Sequence, residues 1–198
     1  LKDDFIILSD ECYSELYFDE ATKPASLLEA CKIVQNDTYK NCLILNSISK
    51  RSSAPGLRSG FIAGDESILK EYMKYRTYVG CASPIPLQKT ATIAWNDEKH
   101  VDIFREYYQQ NFIIAKDILG ITIPNATFYI WLEVDDELNF TQQLYKQENI
   151  KVLPGSFLGR EEAGCGYVRI ALVEEPSKTK EVLQRLKNFI KEYKNGSK

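Results

Sequence analysis

The sequence predicts an α/β fold in two successive pieces, and three observations carry that reading. The segment "DFIILSD" (Asp4–Asp10) and the segment Cys42–Asn46 are apolar without alternation, as in strands of a mostly parallel sheet covered by helices on both faces. Between and after them lie stretches whose apolar residues recur at helical spacing. Near residue 100, inside the longest helical stretch, the pattern changes to short strands set between helices, so the division is placed at residues 1–99 and 100–198.

The elements follow in order. Phe5–Ser9 and Cys42–Asn46 are buried strands, with a short helix near Ala25–Val34 between them. Gly60–Ala63 is a third strand. Asp65 caps a helix carrying Ile68, Leu69, Tyr72, Met73 and Arg76, which Gly80 stops. Pro84–Trp95 is a second helix, its boundary set by Pro84 and Pro86. Asp97–Leu119 is a third, with Val101, Phe104, Tyr108, Ala115 and Ile118 on one side and Gly120 at its end. Strand Thr127–Glu133, helix Asp136–Gln147 and strands Lys151–Leu153 and Tyr167–Val173 come next. Pro176 opens a last helix whose apolar face is Val182, Leu183, Leu186, Phe189, Ile190 and Tyr193.

Composition excludes several classes. A net charge of −3 argues against a nucleic-acid binder, which would carry a basic surplus. No apolar run approaches the roughly 20 residues needed to span a bilayer. The five cysteines (12, 31, 42, 81, 165) form no CxxC pair, which points to reduced, mostly buried thiols in the cytoplasm. His100 is the only histidine, which excludes multi-histidine metal sites; within "DEKHV" it reads as a capping or solvated side chain, and no metal is expected.

In open parallel sheets ligands gather at the carboxyl ends of the strands. Two such ends carry polar clusters, "SDECY" and "NSISK", and adjacent strands would bring Asp10, Tyr13, Ser47 and Lys50 together. Taken singly, Asp10 is a turn cap and Lys50 a solvated lysine. Arg169 interrupts the apolar "YVRIALV", where a charge is costly unless paired. A structural carboxylate partner is one explanation for it, a ligand the other. Phe128, Tyr129 and Trp131 read as core and subunit packing, and Gly155 and Ser156 as the rim of a site.

"SDECYSELYF" followed by "SISKRSSAPGLRSGF" resembles the aspartate-aminotransferase-type, fold-type-I enzymes that use pyridoxal phosphate. The resemblance continues through "CASPIPLQ", "FYIWLE", "LPGSFLG" and "YVRIALV". It implies that residues 1–99 are the C-terminal part of the cofactor-binding large domain and 100–198 the small C-terminal domain. It implies that Lys50 forms a Schiff base with the cofactor and then moves the substrate proton. Arg58 and Ser47 would hold the phosphate, Asp10 the protonated pyridine nitrogen and Tyr13 the phenolic oxygen. Arg169 would clamp the α-carboxylate of an amino-acid substrate exchanging its amino group with a 2-oxo acid, in an enzyme that is a cytoplasmic homodimer.

The stretch "YRTYVGCASPIPLQKTATIAWNDEKHV" is similar to succinyldiaminopimelate aminotransferases of bacterial lysine synthesis; aspartate and aromatic amino-acid transamination stay open. A pyridoxal-dependent C–S lyase shares the same residues, and an amino-acid-binding fragment without catalysis is the third alternative. The family's glycine-bearing phosphate loop, ring-stacking aromatic and Asn-Pro motif precede the aspartate, so this chain is expected to be the C-terminal half of the enzyme and inactive alone.

Overall fold

The structure, a computed structural model, describes residues 5–196. The chain divides into two compact units, Leu1–Arg105 and Glu106–Lys198.

The first unit is built on a three-stranded sheet of order β1 (Ile7–Asp10), β2 (Cys42–Ser47), β3 (Gly60–Gly64). β1 and β2 run parallel, with Asp10 opposite Leu45, joined through α1 (Leu27–Ile33). Ser26 and Glu29 form a capping box at the start of α1, and Glu11 reinforces it by accepting from the Leu27 amide at 2.8 Å. β2 leads directly into the single turn α2 (Ile48–Arg51), and the chain returns as antiparallel β3. The sheet is therefore mixed, because the Ile48 amide donates to the Ser59 carbonyl at 3.2 Å and closes this connection as a local return, not a crossover.

Gly60 sits where β3 approaches β2 closely: a Cβ there would meet the Asn46 carbonyl oxygen at 2.6 Å. Asp65 caps α3 (Glu66–Tyr78), and Pro84 precedes α4 (Ile85–Asn96). The long α5 (Lys99–Leu119) begins beside Asp97, which accepts from His100 Nδ1 at 2.6 Å.

Two expectations are corrected here. β1 is not buried on both faces: Leu8 is 64% exposed and Phe5, just before the strand, 52%; β1 is also an edge of the described sheet, paired only with β2. The thiols are not mostly buried either. Cys31 and Cys42 are buried, Cys12 is half-buried, and Cys81 and Cys165 lie exposed in glycine-containing loops.

The second unit pairs α6 (Glu137–Glu148) and α7 (Pro176–Gly196) with an antiparallel sheet of order β4 (Tyr129–Glu133), β6 (Tyr167–Ala171), β5 (Leu153–Pro154). Its core is Phe112, Phe128, Ile130, Phe140, Leu144, Val168, Ile170, Leu172, Leu183, Leu186 and Phe189. No helix of the described residues is long and apolar enough to cross a membrane.

Candidate active site

The parallel pairing of β1 with β2 puts the carboxyl ends of both strands side by side. Asp10 ends β1, and its Oδ1 accepts from the Cys12 amide at 3.1 Å. Beyond the end of β2, Lys50 projects from α2 with its Nζ 5.7 Å from the centroid of the Tyr13 ring. The thiol of Cys12 registers both charges. Burial pushes it up to about 11, the Asp10 carboxylate adds to the rise, and the Lys50 ammonium opposes it. In turn the Cys12 thiol and amide hold the Asp10 carboxyl below its usual range, so it is an anion at neutral pH.

Ser47 joins the group as the N-cap of α2, its Oγ accepting from the Ser49 amide at 3.0 Å and lying 3.1 Å from the Ser59 carbonyl. That last contact ties it to the arm that carries Arg58. Arg58 closes the 3₁₀ turn Pro55–Leu57 in the left-handed region, at φ 49°, a strained conformation for a residue with a side chain. Its exposed guanidinium uses one N–H on the Pro55 carbonyl, at 2.8 Å.

Arg169 belongs to the second unit. Alternation along β6 buries Val168 and Ile170 in the core and turns Arg169 to the other face, opposite Trp131 on β4. Its guanidinium lies over the Tyr129 ring, 4.3 Å from the centroid. Within its own unit no described carboxylate forms an ion pair with it. The arginine, Tyr129, Trp131 and Thr127 line a cavity of about 640 Å³. Phe128 is core as expected, whereas Tyr129 and Trp131 face this cavity, since the strand's alternate positions point away from the core.

Sequence reasoning missed two charged residues that prove to be buried. Arg51 follows Lys50, and the sequence assigns it no role; in the structure it is 5% exposed, donating to the Ala94 carbonyl and pairing with Glu98. Glu137, in the acidic run "DDE", accepts from the Gly166 amide at 2.9 Å just before β6.

Comparison with known proteins agrees on one family. The family description Aminotransferase class I and II matches residues 1–186. The chain belongs to this family. Among its relatives, an LL-diaminopimelate aminotransferase of Natranaerobius thermophilus is 30% identical over 93% of this chain and 48% of its own. Solved structures of the same shape include aminotransferase AspB from Helicobacter pylori, with a TM-score of 0.90 and 43% identity, covering 95% of this chain and 50% of that one. An aminotransferase from Neisseria meningitidis gives a TM-score of 0.86 and 44% identity over 97% and 50%. The chain thus spans about half the length of the curated relatives it matches.

Class I and II aminotransferases use pyridoxal phosphate. The donor set of the first unit fits that group chemically. Its needs are an amine, an anion for a ring nitrogen, and hydroxyl and guanidinium donors for a phosphate. Lys50, the ionised Asp10, and Ser47 with Arg58 would supply these from one end of one sheet.

Proposed function

We propose that the chain carries the lysine-bearing half of a pyridoxal-phosphate-dependent aminotransferase, transferring an amino group between an amino acid and a 2-oxo acid. One observation supports this most: Asp10 and Lys50 both act on Cys12 while Lys50 Nζ stands over Tyr13, so a fixed anion and an amine share one strand-end cluster.

When bound, pyridoxal phosphate supplies an aldehyde for an amine and a ring that accepts the electron pair left at the substrate Cα. Lys50 then has two tasks in sequence. It would hold the group through Nζ, and its amine would move the proton at the substrate Cα, as base and then as acid. Asp10, an anion at neutral pH, would hold a proton on the ring nitrogen by charge pairing. The Tyr13 hydroxyl would donate to the phenolic oxygen, and Ser47 and Arg58 would hold the phosphate, Arg58 as a rigid fork. Arg169, whose guanidinium lies over the Tyr129 ring, would orient the amino acid by its α-carboxylate.

The relative named for LL-diaminopimelate supports an amino donor on the route to lysine. We also propose a homodimer, a reading supported by the exposed Met73, Tyr75 and Tyr78 of α3.

Borohydride reduction of the cofactor-loaded full-length protein, followed by peptide mapping, tests the central assignment. The phosphopyridoxyl label is expected on Lys50, and finding it on another lysine overturns the reading. Keto-acid formation from a panel including succinyl-diaminopimelate then identifies the donor, whereas pyruvate with a free thiol from a C–S substrate assigns a lyase.

A further inference from the structure

We propose that Arg51 is a positioning residue: it staples the turn carrying Lys50 to the end of α4 and so sets the placement of Lys50 relative to Arg58. This rests on the reading of Lys50 and Arg58 given above.

α2 spans only Ile48–Arg51, one turn, too short to hold its shape by its own hydrogen bonds. Its position must come from its anchors. Ile48 is fully buried on one side of Lys50 and Arg51 is 5% exposed on the other. The Arg51 guanidinium donates to the Ala94 carbonyl at 3.0 Å, in the last turn of α4, where a cation also meets the negative end of the helix dipole. It pairs with the Glu98 carboxylate and lies 5.5 Å from the centroid of the Trp95 ring.

Trp95 carries the linkage onward. Its Nε1 donates to Ser59 Oγ at 3.3 Å, and its ring meets Phe61 edge-on at 5.2 Å. Ser59 is the neighbour of Arg58, and its carbonyl accepts from the Ile48 amide at 3.2 Å. The circuit from Lys50 through Arg51, Trp95 and Ser59 to Arg58 is closed by hydrogen bonds and ring contacts. A lysine in place of Arg51 has donors enough for both acceptors but lacks the planar guanidinium that reaches them while lying against the Trp95 ring.

The test uses the full-length, cofactor-loaded protein with Arg51→Lys, Trp95→Phe and Arg105→Met. Arg105 is the control: it stacks on Tyr17 at 4.3 Å and pairs with Asp102 in the same unit, away from this circuit. The expected result for Arg51→Lys is cofactor binding about tenfold weaker and a displaced pH midpoint of the bound-cofactor absorbance, because the Lys50 amine shifts relative to the Arg58 charge. Trp95→Phe keeps the ring but loses the donor to Ser59, and moves the midpoint less in the same direction. Arg105→Met lowers Tm without moving it. An unchanged midpoint and affinity in both Arg51→Lys and Trp95→Phe would overturn the proposal, and if Arg51→Lys fails to fold, Trp95→Phe decides it alone. A borohydride label away from Lys50 means that the functional reading fails; a label on Lys50 with an unmoved midpoint in these variants means that only this inference fails.

Discussion

The Lys50 ammonium lies over the Tyr13 ring, 5.7 Å from its centroid. The ring and the hydroxyl of Tyr13 therefore have separable effects. Tyr13→Phe keeps the aromatic face and loses only the donor, so Lys50 stays in place and the absorbance titration of the bound cofactor shifts. Tyr13→Ala removes the face as well and weakens cofactor retention in addition. Identical titrations in Tyr13→Phe and the parent protein would remove the hydroxyl from the site.

Arg58 sits at φ 49°, and that backbone strain is common to any replacement that carries a Cβ. Arg58→Lys is expected to leave Tm nearly unchanged while weakening cofactor affinity by about tenfold or more, since a point charge replaces a two-pronged donor. Fluorescence titration with pyridoxal phosphate measures the difference. Equal affinities would mean that the phosphate is held elsewhere.

Truncating Arg169 to Ala is expected to leave cofactor absorbance intact and to lower kcat/KM by about a hundredfold, on the order of 3 kcal/mol for a charge-assisted pair at a half-buried position. Arg169→Lys recovers part of the loss. Because Val168 and Ile170 alone face the core, neither variant should cost much stability, which thermal unfolding checks independently of kinetics.

Asp65 gives a prediction in pH. It accepts from Ser67, Asn41 and Ile68, and these bonds lower its pKa to about 2 from 3.8, the Ser67 side chain contributing most. A depressed carboxylate stabilises the fold fully above the unfolded value, and that contribution fades as pH falls through the folded one. Asp65→Ala, which removes the cap of α3, should lower Tm by about 5 °C at pH 7. The gap between parent and variant should narrow as pH drops from about 4 to 2. A gap that stays constant over that range would show that the charge contributes nothing.

The convergence of Asp10, Tyr13, Ser47 and Lys50 was legible in the sequence because it follows from one topological fact, two adjacent parallel strands ending at the same level. The long helices were legible from their periodicity and caps, as with Asp65 and Pro84. What could not be read was which surfaces would be covered. Hydropathy marks Phe5 and Leu8 as apolar but is silent on whether a neighbour lies against them, and both are exposed at an edge strand. Arg51 and Glu137 hide for the opposite reason: a charge beside other charges reads as solvated, and only a distant carbonyl or amide makes its burial affordable. The tryptophan at the end of α4 was the available signal for Arg51, since a buried guanidinium favours a ring face.

The antiparallel return of β2 into β3 has a consequence for the order in which the site is assembled during folding. Lys50 and Arg58 both lie within one continuous stretch, Cys42–Gly64, whose strand pairing and cap bonds join residues near one another in sequence. Asp10 reaches the same place only through the longer excursion that carries α1. Closing the short loop costs less chain entropy and comes within reach sooner. Pairing of β2 with β3 is thus expected to precede docking of the Asp10 strand, whereas the final placement of Lys50 awaits the contacts of Arg51 with the end of α4.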